Sequence, residues 1–169
     1  FTKFRIYFRN IRFFIAVYTL VSTARLLKHG YLKGKIAVAA VSAVFAMTGS
    51  VLGAQIALRV PDSVIRSMMI VILPIVAYYV LRNKNMGDSE RTGTISKRRV
   101  CVISLAASFV IGTYDGFYGP GTGTFLILVL TGAARMDMRT AAAQTKVINL
   151  SSNISALVTF ILTGNVYYT

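Results

Sequence analysis

The chain has 169 residues, of which 55% are apolar and only 14% are charged, and its formal net charge is +14. A soluble domain carries charge on about a quarter of its residues, so this composition argues against one. Basic chains often bind nucleic acid. Here, however, the lysines and arginines lie mainly where apolar runs end, as in membrane proteins, so no nucleic-acid partner is expected.

Residue types that carry chemistry are scarce. Cys101 and His29 are the only cysteine and the only histidine in the chain. They cannot supply an internal disulfide, a Cys/His metal cluster or a Ser-His-Asp set. The sequence therefore predicts no metal site, no cofactor and no enzymatic activity.

Three apolar stretches occupy the first half of the chain. They cover residues 11–27, 36–58 and 64–81. A membrane span needs about 20 mostly apolar residues, so each stretch is a candidate span. In the second stretch, Gly49 and Gly53 stand four residues apart, a spacing that lets two helix backbones approach closely. Pro74 is expected to kink the third stretch, because proline removes a backbone donor.

A polar and basic segment at residues 82–99 follows and is expected to be a cytoplasmic linker. If the three stretches each cross the membrane, this linker and the loop at 28–35 lie on one side, and the loop at 59–66 lies on the other. The first side carries nine lysines and arginines, and the second side carries two. Basic residues accumulate in cytoplasmic loops, which places the linker in the cytoplasm. The basic segment at residues 1–12 falls on the opposite side and does not fit this rule.

The second half contains apolar stretches at residues 100–118, 125–134 and 141–162. The middle stretch is too short to span alone. Glycines at 119, 121 and 123 surround Pro120 between the first two stretches, and this pattern predicts a broken helix. In a bilayer such a break is tolerated only where it is buried in protein or lines a polar cavity. A surface loop is the alternative, whereas a nucleotide-binding loop is disfavoured because the glycines do not follow the G-x-G-x-x-G order.

Asp115 lies inside this glycine-rich segment. An acidic residue within a membrane span is costly, so it marks a functional position. Two roles stay open at this point. Asp115 either carries a coupling proton or holds the broken backbone in place.

The last apolar stretch carries polar residues on one face. At about 100° per residue, Lys146, Asn149 and Asn153 fall within about 60° of each other, bordered by Thr145 and Ser152. One positive charge with neutral hydrogen-bond donors suits a small oxyanion. The candidate substrate site comprises Lys146, Asn149, Asn153, Thr145 and Ser152, together with Gly119, Gly121 and Gly123. In the structural alternative, the asparagines bond between helices and Lys146 extends to the membrane interface.

An internal repeat links the two halves. Residues 19–32 can be laid on residues 153–166, so that a polar start leads to a glycine turn at Gly30 and at Gly164. The match is in pattern rather than in identity. Internal repeats are common in transporters, whose sites lie between the repeats.

The segment Tyr114–Phe125, followed by residues 141–153 and 164–166, resembles the second half of the sulfite exporter TauE/SafE family of membrane permeases. Residues 49–59, with Pro61, Arg66 and residues 81–84, resemble the later helices of its first half. The resemblance implies an all-α polytopic transmembrane helix bundle of about eight spans in two related halves, each opened by a glycine-rich break.

On this resemblance, residues 1–81 are the end of the first repeat, 82–99 the basic cytoplasmic linker and 100–169 the start of the second repeat. The chain is then expected to be a fragment that lacks the first glycine-rich element and the last two spans. The implied function is transport of small oxyanions, such as sulfite or an organosulfonate, across the cell membrane. A multi-pass protein in the lipid bilayer is expected, and assembly into a homo-oligomer is left open. The alternative is a membrane scaffold that does not transport, with the Gly49 and Gly53 face as its packing surface.

Overall fold

A computed structural model describes residues 18–23, 36–61, 63–64, 67, 70–72, 74–75, 78, 82 and 96–163. The helices with defined ends are α1 (Ile36–Arg59), α2 (Lys97–Phe117), α3 (Thr122–Gly132) and α4 (Met138–Leu162). Residues 18–23 are also helical, and no strand occurs in the described ranges. Three helices, α1, α2 and α4, are long and apolar enough to cross a membrane, whereas α3 is shorter. The prediction of an all-α transmembrane bundle is confirmed.

The first two long helices, α1 and α2, run parallel and pack closely. Ala46 of α1 lies against Gly112 of α2, and one turn later Ser50 lies against Gly116. A Cβ atom on Gly116 would lie 2.7 Å from the Cα atom of Ser50, which real structures essentially never show. Gly53 faces the α2 backbone in the same way. The close approach predicted from the glycine spacing in α1 is therefore confirmed, and its partner is α2.

The fourth helix runs in the same direction as α1. Ser42 contacts Gln144, and two turns later Ser50 contacts Ser152. All three long helices therefore begin at one end of the bundle, called here the basic end. Exposed basic residues lie in or just before the first turns of α2 and α4 at this end: Lys97, Arg98, Arg99, Arg135 and Arg139.

The short helix α3 runs back toward the basic end. Leu130 and Ala134, at and beyond its end, pack with Val100 and Ile103 in the first turns of α2. Leu126, in the middle of α3, is fully buried in a core cluster with residues of α1 and α4. Because α3 has only 11 residues, it covers about 16 Å, which is roughly half of a bilayer core.

The break between α2 and α3 covers residues 118–121. Gly119 and Gly121 have φ angles of 96° and 86°, the left-handed region that side chains other than glycine rarely adopt. The hydroxyl of Tyr114 donates to the carbonyl oxygen of Pro120 at 2.7 Å. The Tyr114 ring also meets the ring of Phe125 edge to face, with centroids 5.6 Å apart. The predicted broken helix is therefore confirmed, and an aromatic side chain from α2 braces it.

Several expectations lie partly or wholly outside the described residues. Most of the stretch 64–81 is among them, so the kink at Pro74 stays a prediction. Residues 24–32 and 164–166 of the internal repeat are also outside. Residues 83–95 of the linker are outside, while α2 begins at Lys97, so the last three residues assigned to the linker are helical.

Candidate functional site

One buried carboxylate joins three helices at the break. Asp115, in the last turn of α2, is only 3% exposed. Its Oδ1 atom accepts a hydrogen bond of 2.8 Å from the hydroxyl of Thr122, the first residue of α3. Its Oδ2 atom accepts a hydrogen bond from the hydroxyl of Ser152 on α4. These three residues, called here the Asp115 latch, fix the start of α3 against both long neighbours.

The first long helix, α1, also contacts the Asp115 latch. The Ser50 hydroxyl of α1 donates to the backbone carbonyl oxygen of Ser152 at 2.6 Å, and both residues are buried. Sequence reasoning identified Asp115 and Ser152 but missed Ser50 and Thr122. Thr122 was detectable in principle, because it directly follows the break. Ser50 follows Gly49 on the face that packs against α2, but serines of this kind are common in membrane helices.

The start of α3 faces two polar residues of α4. A Cβ atom on Gly123 would lie 3.1 Å from Asn149 Nδ2 and 3.9 Å from the methyl carbon of Thr145. The side-chain oxygens Thr145 Oγ1 and Asn149 Oδ1 are buried and have no hydrogen-bond partner within the described part of the chain. Gly121, which precedes α3, has no side chain to cap the helix. Gly121, Gly123, Thr145 and Asn149 are called here the polar cradle.

The cradle has the chemistry of an anion site. The first N–H groups of a helix have no partner within that helix, and they carry the positive end of its dipole. Such a terminus binds anions when neutral donors lie beside it. The Asn149 amide nitrogen is a donor in that position, and Thr145, whose methyl group faces Gly123, carries a buried hydroxyl next to it. In the ranges that the structure describes, no group of three His, Cys, Asp or Glu side chains is placed to hold a metal ion.

The other two predicted residues of α4, Lys146 and Asn153, make contacts other than those with the start of α3. The Lys146 ammonium lies 5.2 Å from the ring centroid of Tyr18, a cation–π distance. The Thr23 hydroxyl donates to the Lys146 carbonyl oxygen at 3.3 Å. The amide of Asn153, which is buried, donates to the carbonyl oxygen of Asn149 at 2.7 Å, a bond within α4.

The predicted site residues therefore divide into four groups. Thr145, Asn149 and Gly123 come together in the cradle, with Gly121 directly before α3. Ser152 joins the Asp115 latch, while Lys146 and Asn153 lie next to the cradle. Gly119 belongs to the break itself, where its carbonyl oxygen accepts from the backbone N–H of Thr122 at 3.2 Å.

Comparisons with known proteins agree with a membrane fold. A profile of the sulfite exporter TauE/SafE family matches residues 11–169. The chain is 34% identical over 140 residues to the "Probable membrane transporter protein ORF9" of a Sinorhizobium species, covering 83% of this chain and 51% of that protein. It is 32% identical over 122 residues to the "Probable membrane transporter protein YfcA" of Escherichia coli K12, covering 71% and 44%.

A protein of Haemophilus influenzae described as "Probable membrane transporter protein" is 28% identical over 125 residues, covering 74% of this chain and 48% of that protein. No solved structure matches. The chain spans about half the length of these curated relatives. Nearly the whole chain matches the family profile. The chain belongs to the sulfite exporter TauE/SafE family.

Proposed function

We propose that the full-length protein is a membrane permease for small oxyanions, with sulfite or an organosulfonate as its substrate. The observation that carries the proposal is the polar cradle, in which a half-length helix begins beside the buried polar atoms of Thr145 and Asn149. The family name and the printed names of the relatives support transport as the activity. The proposal places the protein in the cell membrane as a multi-pass chain, with its basic end in the cytoplasm.

In this proposal the oxyanion binds at the first turn of α3. The backbone N–H groups, the Thr145 hydroxyl and the Asn149 amide donate to its oxygens. Lys146, whose ammonium lies beside Tyr18, adds a positive potential. Neutral donors with one nearby charge hold an anion without trapping it, and transport requires release.

The role proposed for Asp115 is to position the break. Both of its carboxylate oxygens accept hydroxyl hydrogen bonds, one from α3 and one from α4. A carboxylate beside the cradle would repel an anion, so direct contact with the substrate is unfavourable. The alternative role for Asp115 is to carry a coupling proton.

The first test of the polar cradle replaces Gly123 with a larger residue. A Cβ atom on Gly123 would already lie 3.1 Å from Asn149 Nδ2, so the two methyl groups of Gly123→Val would occupy the space of the cradle. We expect sulfite flux into proteoliposomes to fall at least about tenfold, equivalent to ~1.4 kcal/mol. Gly132→Val is the matched control, because a Cβ atom there meets nothing within 4 Å at the other end of the same helix. Equal flux from the two variants would remove the cradle from the proposal.

The second test removes the side chains that favour the anion. The double substitution Lys146→Ala and Asn149→Ala is expected to abolish saturable sulfite flux, because it deletes the nearby charge and one donor together. Each single substitution is expected to raise the sulfite KM, measured in the same vesicles. If the double variant transports sulfite like the unmodified protein, the site assignment is wrong.

The alternative of a non-transporting scaffold loses its main support in the structure. It depended on Gly49 and Gly53 as a surface for a partner chain. Both glycines instead pack against α2 of the same chain, where an added Cβ atom would meet the α2 backbone. That surface is therefore already used inside this bundle.

A further inference from the structure

A second group of buried polar side chains lies away from the break. Ser104 of α2 and Gln144 of α4 are both 0% exposed. The side-chain atoms Ser104 Oγ and Gln144 Oε1 have no hydrogen-bond partner among the described residues. Gln144 uses its amide nitrogen to donate to the Ser42 hydroxyl at 3.3 Å. Neither atom takes part in the latch or in the cradle.

The helix register places this group nearer the basic end. Ser42 contacts Gln144, two turns before Ser50 contacts Ser152, so the group lies about 12 Å from the latch along α1. The register between α1 and α2 places Ser108 level with Ser42, and Ser104 lies one turn nearer the basic end on the same face of α2. The carbonyl oxygen of Ser104 accepts a 2.6 Å hydrogen bond from the Ser108 hydroxyl. Ser42, Ser104, Ser108 and Gln144 are called here the inner polar layer.

Polar atoms without partners continue from this layer to the break. Gln144 Oε1, Thr145 Oγ1 and Asn149 Oδ1 follow one another along α4, and none has a partner in the described ranges. Inside a bilayer such atoms are costly unless water or a bound solute supplies the missing bond. Two of the three atoms are amide oxygens, which accept hydrogen bonds only, so they suit the water shell of a hydrated anion that enters from the side of the five exposed basic residues.

We infer that the inner polar layer is a second, weak binding site for the hydrated oxyanion, on the route between the basic end and the cradle. The inference rests on the proposed function for the identity of the solute. The Ser104 hydroxyl and the Gln144 amide are neutral groups that donate and accept. They replace part of the hydration shell and hold the anion weakly, so that it can pass on to Thr145 and Asn149.

Thiol labelling tests whether the layer is wet without using sulfite. Ser104→Cys in a Cys101→Ser background of the full-length protein is reconstituted in proteoliposomes, and a small anionic methanethiosulfonate is added from the basic side. Ala107→Cys in the same background is the control, because Ala107 is also buried and lies on the same helix. We expect the Ser104→Cys variant to react about tenfold faster, since thiolates form only where water reaches. Equal rates for the two variants would overturn the inference.

A second measurement asks whether the layer takes part in transport. Ser104→Ala leaves the Ser108 bond intact, because that bond ends on a backbone oxygen. Removing an unpartnered hydroxyl should leave the melting temperature unchanged or raised. Sulfite flux through the Ser104→Ala variant is expected to fall several-fold. Unchanged flux would show that the inner polar layer does not bind the transported anion. If the unmodified protein carries no sulfite at all, the proposed function fails, while the labelling rates still decide whether the layer is hydrated.

Discussion

Replacing Gly116 with alanine is expected to destabilise the protein strongly, although alanine is the better helix former. The added methyl group meets the backbone of Ser50, whose Cα atom would lie 2.7 Å away, and a backbone cannot rotate aside as a side chain can. Overpacking of this kind costs about 1–3 kcal/mol or more. The melting temperature of the full-length protein in detergent should fall, and the yield of folded protein should fall with it.

The matched control is Gly132→Ala, a glycine-to-alanine change at a position with no close neighbour. A Cβ atom on Gly132 meets nothing within 4 Å, so Gly132→Ala should gain helix propensity of up to about 1 kcal/mol. The two alanine variants are therefore expected to shift the melting temperature in opposite directions. Shifts of the same sign would mean that α1 and α2 do not pack as closely as described.

Among the single substitutions, Asp115→Ala is expected to have the largest effect on transport. Asp115→Ala removes both hydroxyl contacts of the latch, and hydrogen bonds to a charged group contribute about 1.5–3 kcal/mol each. The first turn of α3 is then no longer fixed to α2 and α4, and a binding site tolerates displacements of only about 0.5 Å. We expect sulfite flux in proteoliposomes to fall by about 30-fold or more, equivalent to ~2 kcal/mol.

Two further variants separate the roles open to Asp115. Ser152→Ala removes one of the two latch bonds and should reduce flux less than Asp115→Ala. Asp115→Asn keeps an oxygen that can accept from Thr122 and offers an amide group to Ser152. If the residue only positions the break, the asparagine variant should retain most of the flux. Loss of proton-driven accumulation in Asp115→Asn, with sulfite exchange retained, would instead identify a coupling proton and contradict the positioning role.

The sequence predicted the helices because apolar run length and backbone chemistry are local properties. The uncharged run at 36–58 became α1, and the glycines around Pro120 marked the break within a residue or two. Asp115 was found because a carboxylate in a membrane stretch is rare enough to stand out. None of these features depends on which helix packs against the stretch.

The remaining features depended on helix register, which single stretches do not encode. A helical wheel groups Lys146 with Asn149, but it does not say which neighbour each one faces. In the structure Asn149 faces the start of α3, whereas the Lys146 ammonium lies over Tyr18. Ser50 and Ser104 are ordinary serines of membrane helices by sequence. The register between α1, α2 and α4 gives the Ser50 hydroxyl a partner, whereas the Ser104 hydroxyl has none among the described residues.

The parallel arrangement of α1, α2 and α4 has a consequence for synthesis. Ser50 donates to a carbonyl oxygen that lies 102 residues later in the chain. At about 5–20 residues per second, the ribosome needs roughly 5–20 s to deliver that partner after Ser50 has emerged. Because α2 is synthesised before α4, it covers the glycine face of α1 first, and the Ser50 hydroxyl waits longer for its partner on α4. The bundle is therefore completed in chain order, with the α1–α2 contact formed before α4 closes the Ser50–Ser152 hydrogen bond.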